Sequence, residues 1–174
     1  QPEQLAPFAR LATHVLGEHL GAWDEGVTLL SELRDRTVAA GDAARAALAR
    51  SIQALEIAAG RAEAGPALAS ETRIAALADA ASMLSGRGDL VASVHALDTA
   101  LALAGDDLAD GSTAIRALAV AGNNLAEALE AKPDRSRAQT LGMLRAAEAG
   151  LTYWRRAGTW LEEERAYYRL ARSH

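Results

Sequence analysis

Apolar residues recur along this chain at intervals of three and four, and no stretch alternates polar and apolar long enough for a strand. Leu5, Phe8, Leu11, Ala12, Val15, Leu16 and Leu20 form the first such stripe and predict a helix from Glu3 to Leu20. Pro7 falls in its first turns, where a missing N–H costs least, and Gly21 stops it. Val27, Leu30, Leu33 and Val38 predict a second helix from Asp24 to Ala40. Gly41 fits the position after a helix end, and Asp42 is placed to cap the next helix. That third helix, Ala43 to Ala62, carries Leu48, Ile52, Leu55 and Ile57, with Gly60, Gly65 and Pro66 marking a break.

Four more stripes follow the same rule. Ile74, Leu77, Ala81 and Leu84 predict a helix from Ser70 to Ser85, and Leu90, Val94, Leu97 and Leu101 one from Leu90 to Ala104. Ile115, Leu118, Leu125 and Leu129 predict a helix from Ser112 to Ala131, ended by Lys132-Pro133-Asp134 because proline cannot continue it. Leu141, Leu144, Ala147 and Leu151 predict one from Arg135 to Ala157, and Gly158-Thr159 turns the chain into a last helix, Trp160 to Arg172. Eight helices with short links make sequential neighbours antiparallel. A closed bundle and a stack of helical hairpins both satisfy this.

Composition sharpens the picture. Ala supplies about a quarter of the residues, which favours helix and close helix contacts. The chain has 174 residues and reads as one domain, 1–174. It contains no Cys, so disulfides, zinc-thiolate sites and thiol nucleophiles are excluded, and a reducing cytoplasm is the expected compartment. A start at Gln1 also fits removal of a leader or a piece of a longer chain. The formal charge of −5 argues against a nucleic-acid partner, and no apolar run approaches the ~18 residues of a membrane span. Lys132 is the sole Lys; with the Ala richness, this reads as the codon bias of a GC-rich genome rather than as a selected Arg surface.

One phrase recurs at the turns: Gly21-Ala22-Trp23-Asp24-Glu25-Gly26 and Gly88-Asp89-Leu90-Val91-Ala92-Ser93. Each places a Gly two residues before a large apolar residue and five before a small one. Gly permits the bend, the large residue plugs it, and the small residue admits a neighbouring helix. Gly122 lies inside a predicted helix, where Gly costs ~1 kcal/mol against Ala, so a close helix contact is expected there. The pattern resembles the tetratricopeptide repeat superfamily in a divergent form. Trp23 and Gly26 stand at the family's aromatic turn and small second-helix positions, Leu90 and Ser93 at the same places in another hairpin, and Gly122 at the small residue of a first helix. The third helix and the segment from Gly60 to Ala69 do not fit the repeat.

The resemblance implies an all-α, right-handed stack whose first helices line a concave groove for a protein or peptide. Asn123, Asn124, Arg116 and Gln53 are the candidates to hold such a partner: an amide can both donate to and accept from an extended backbone, and Arg can meet a carboxylate. The alternative is a helical effector-sensing domain of a bacterial signalling or transcription regulator. The C-terminal aromatics supply a second candidate surface. Trp154, Trp160, Tyr167 and Tyr168, interleaved with Arg, suit either a homodimer or partner contact or the closing of an Ala-rich core.

Catalytic and metal chemistry finds little footing. His14 and His19 are five apart and do not share an α-helical face, and the His-Glu-x-x-His pattern is absent. Gly86-Arg87-Gly88-Asp89 lacks the Lys and the strand of a phosphate loop. Asp106, Asp107 and Asp110 read as solvated or capping, and Glu162-Glu163-Glu164 as a solvated first turn that complements the helix dipole. The expected function is therefore a non-catalytic scaffold or adaptor with no cofactor and no metal.

Overall fold

Helical hydrogen bonding takes up most of the described chain. The structure is a computed structural model, and it describes residues 4–37, 41–61, 69–105 and 108–174. In order, the helices are α1 (Leu5–Ala12), α2 (Trp23–Arg36), α3 (Asp42–Ala58), α4 (Ser70–Gly86), α5 (Leu90–Ala104), α6 (Thr113–Glu130), α7 (Arg137–Ala157) and α8 (Trp160–Ser173). A π-helical segment, Thr13–Leu20, continues directly from α1. No strand occurs among the described residues, so the fold is all-α.

The helix ends follow the local chemistry. Gly21 adopts φ 65° and closes the π-helical segment, a conformation that a side chain would strain. Asp89 caps α5 by accepting from the Ala92 amide, and Ser112 caps α6 by accepting from Ala114. Ser136 with Gln139, and Thr159 with Glu162, form reciprocal capping boxes at the starts of α7 and α8. The Thr159 hydroxyl and then its amide hold the Glu162 carboxyl below its ordinary value, so this acid is a built cap rather than a solvated one.

Several boundaries differ from expectation: α2 already ends at Arg36, with Thr37 as its cap, and α3 at Ala58, with Ala59 as its cap, short of the expected Ala40 and Ala62. Asp42 is the first residue of α3 and pairs with Arg45; Gly41 occupies the cap position. Arg135 lies outside α7, and its guanidinium donates to the carbonyls of Leu129, Glu130 and Lys132, closing the end of α6. The first helix is not α-helical throughout. The expected ends at Ala40 and Ala62, the break at Gly65 and Pro66, and Asp106 and Asp107 lie outside the described residues.

Packing centres on α4, which touches α3, α5 and α6. Ala75, Ala76, Ala78, Ala80 and Ala81 are all fully buried, as suits a helix enclosed on every side. Ser93 replaces bulk with a hydrogen bond: its buried hydroxyl donates to Ala81 O at 2.7 Å, tying α5 to α4. Gly122 marks the closest seam. A Cβ there would lie 2.6 Å from Ala146 O and from Gly150 N, so α6 and α7 touch backbone to backbone. Helices α1, α3, α4, α6 and α8 touch in that succession, while α5 and α7 pair with α4 and α6 and touch each other.

The last helix is held by charge. Glu130 of α6 pairs with Arg169 and Arg172 of α8, and Arg169 also reaches Glu127 at 3.1 Å. Burial pushes the Glu130 carboxyl up, but the hydrogen bonds from Arg172 and Arg169 outweigh it and leave it below the usual carboxylate range.

Candidate functional site

The sequence places Gly17 midway along the first apolar stripe, and this residue explains the local geometry. A Cβ on Gly17 would sit 2.2 Å from Met83 Sδ and 3.1 Å from Leu55 Cδ2. The segment therefore presses its bare backbone onto α3 and α4. Its bonding is π-helical, and side chains add bonds to carbonyls within and beside it. The Trp23 indole donates to Gly17 O, Arg87 donates to His19 O at 2.8 Å, and the Thr13 hydroxyl donates to Ala9 O at 2.7 Å. Single-turn π insertions in helices often accompany functional sites.

The π geometry corrects the expectation for the histidines. Five residues complete about one π turn, so His14 and His19 meet after all. Their Nε2 atoms lie 2.9 Å apart and the rings cross at 76°. His14 Nδ1–H donates to Glu18 Oε2 at 2.9 Å, because a carboxylate can only accept. With both rings neutral, His14 Nε2 accepts from His19 Nε2–H. The Glu18 side chain lies over Gly86, where a Cβ would come within 2.6 Å of its Cγ.

Beside this cluster runs an open cleft of about 220 Å³. Arg10, Thr13, His14 and Glu18 form one wall, and Arg50, Asp79 and Ser82 rise from α3 and α4. Val120 and Asn124 of α6 form the other side, with Met83 below. Arg50 and Asp79 are joined bidentately, at 2.7 and 2.8 Å, which fixes α3 to α4 and presents a balanced ion pair. A second hollow continues past Glu18 and Asn124 to Ser85, Gly86, Glu127 and Ala128. Glu18 and Asn124 thus border both.

The four expected groove residues do not share one surface. Asn124 stands in the cleft. Asn123 points into the α6–α7 seam, its Oδ1 buried without a hydrogen-bond partner among the described residues and 2.7 Å from where a Gly150 Cβ would be. Arg116 follows Asn123's face of the helix and lies over the Trp154 ring, 5.1 Å from its centroid. Gln53 is buried at 9% exposure. The C-terminal aromatics divide likewise: Trp154 is buried, whereas Trp160 is 77% exposed and Tyr167 and Tyr168 are exposed as well.

Sequence reasoning missed Arg10, Thr13, Arg50, Asp79 and Ser82 as cleft residues. Asp79 carried a usable signal, being the one acid within the apolar stretch from Ile74 to Leu84. A carboxylate there needs a partner to be tolerated near a core. Arg61, beyond α3, joins Glu56 and Asp24, chiefly through Glu56, and its guanidinium is held more firmly protonated.

Among the described residues no group of three or more His, Asp or Glu side chains gathers as metal ligands, and no helix is long and apolar enough to cross a membrane. No protein-family model matches the chain, and neither a curated protein nor a solved structure matches it.

Proposed function

We propose that this chain is a non-catalytic binding module, a scaffold or adaptor, that takes an extended segment of another protein along the cleft between the π-helical segment and α6. The observation that carries this reading is Asn124. Its half-buried amide makes no hydrogen bond to any described residue and stands where the two hollows meet. A side-chain amide so placed can pair with one backbone N–H and one C=O of an extended peptide. Arg10, exposed and without an ion-pair partner among the described residues, offers a charge at the opposite wall. The first helices of the expected hairpins, α1 with its π-helical continuation, α4 and α6, all border the cleft, which supports a divergent stack resembling tetratricopeptide repeats; α3 lies among them outside the repeat.

The effector-sensing alternative finds less support. The cleft is open and, at about 220 Å³, smaller than the roughly 300–1,000 Å³ that encloses a drug-sized ligand. Selection of binders to the full chain from a random extended-peptide library tests the proposal. Asn124→Ala and Arg10→Ala should each weaken the selected peptides about tenfold while Arg116→Ala leaves them unchanged, since one lost hydrogen bond to a charged or desolvated partner costs about 1–3 kcal/mol. Peptides insensitive to both cleft variants would defeat it. We further propose that the exposed Trp160, Tyr167 and Tyr168 face pairs two copies; sedimentation of parent and Trp160→Ala decides, and two monomers would refute it.

A further inference from the structure

We propose that His14 and His19 form a two-histidine site for a divalent transition-metal ion that accepts ligands at a right angle, Cu2+ or Ni2+. The inference rests on ring geometry and is independent of peptide binding. The two Nε2 atoms lie 2.9 Å apart. An ion about 2.0–2.1 Å from each nitrogen would then subtend roughly 90° between them, whereas a tetrahedral ion needs a nitrogen spacing of about 3.4 Å. Right-angle placement is the tetragonal or octahedral choice of Cu2+ and Ni2+, not the tetrahedral one of zinc.

The ring centroids tell the same story. They are 4.4 Å apart. Nitrogens facing head-on across a linear hydrogen bond would hold the centroids about 5.2 Å apart, while nitrogens converging on a shared ion at a right angle bring them to about 4.5 Å. The rings are thus bent away from the line joining their nitrogens, as a shared ion at a right angle requires.

The surroundings suit the same chemistry. Glu18 accepts from His14 Nδ1–H, the outer carboxylate that fixes a ligating histidine's tautomer and makes its free nitrogen more basic. It leaves His14 Nε2 as a lone pair. His19 need only shift its proton from Nε2 to Nδ1 to present a second lone pair, so the ion enters without net loss of protons from two neutral rings. His14 and His19 are exposed, which leaves the remaining coordination positions to water. The π turn is the structural requirement, since it alone brings residues five apart into register, and Gly17 packed against Met83 and Leu55 holds that turn in place. Arg87, bound to His19 O, places a positive charge nearby and opposes tight binding, while the Glu18 carboxylate offsets it.

Calorimetric titration of the full chain with Cu2+ and with Ni2+ tests the site, with copper resonance spectra reading the ligand set. One equivalent of Cu2+ should bind with two equatorial nitrogens in a tetragonal signal. His14→Ala and His19→Ala should each weaken binding at least tenfold, and Glu18→Ala about tenfold by loss of the orienting carboxylate. His95→Ala and His174→Ala should change neither affinity nor spectrum. Far-UV circular dichroism checks that the exposed variants remain folded. Equal affinity in parent and a His14→Ala/His19→Ala double variant, a one-nitrogen spectrum, or no uptake at millimolar ion would overturn the assignment.

Discussion

Replacing Gly122 with alanine should destabilise the protein despite improving the helix. In an isolated helix the change stabilises by about 1 kcal/mol. Here the new Cβ would stand 2.6 Å from Ala146 O and Gly150 N and 2.9 Å from Gly150 Cα, all backbone atoms that cannot turn aside. Relief requires α6 and α7 to separate by about 0.8 Å, and a gap of that size forfeits a quarter to a half of each dispersion contact along the seam. Overpacking of this kind costs typically 1–3 kcal/mol, and the rigid contact places it at the upper end. A net loss of about 1–2 kcal/mol should remain after the propensity gain. Gly142→Ala in α7 is the matched control. The three atoms nearest its Cβ all belong to the Val94 side chain, the nearest a methyl at 3.1 Å, and that side chain can give way, so the change should be neutral or stabilising by up to about 1 kcal/mol. Urea denaturation followed by Trp fluorescence compares the two. A Gly122→Ala protein as stable as its parent, or the same loss from Gly142→Ala, would refute the backbone-contact argument.

Further outcomes follow from the helix ends and the α8 clamp. Glu130→Gln should loosen α8 and cost about 1–3 kcal/mol at neutral pH, read as faster amide exchange across Trp160–Ser173. Because Glu130 titrates below its unfolded value, its contribution is present above the ordinary carboxylate range and disappears as pH falls through the folded value. The parent should therefore lose melting temperature faster than Glu130→Gln on acidification below about pH 5; parallel curves would contradict the pairing. Thr159→Ala removes a reciprocal cap and should cost about 1 kcal/mol in denaturant titration, with fraying confined to the first turn of α8. Ser93→Ala leaves a buried site without its bond to Ala81 O and should cost about 1 kcal/mol; an unchanged denaturation midpoint would show that the bond contributes nothing.

What the sequence determined by itself was largely local. Apolar spacing, Gly21, Pro133 and the Gly158-Thr159 turn placed the helices, because α-helical bonding and its termination depend on residues a few positions apart. Gly122 was legible as a contact because an interior Gly is costly unless a neighbour needs the space. The tertiary structure alone decided which face met which helix. Asn123 and Asn124 are adjacent in sequence, yet one points into the α7 seam and the other into the cleft, since neighbours on a helix lie about 100° apart. Trp154, near the end of α7, is covered by packing, whereas Trp160, the first residue of α8, is left outside. The meeting of His14 with His19 was hidden most deeply. Seating Gly17 against Met83 and Leu55 accompanies a widened turn, and long-range packing of that kind leaves no mark in the spacing of apolar residues.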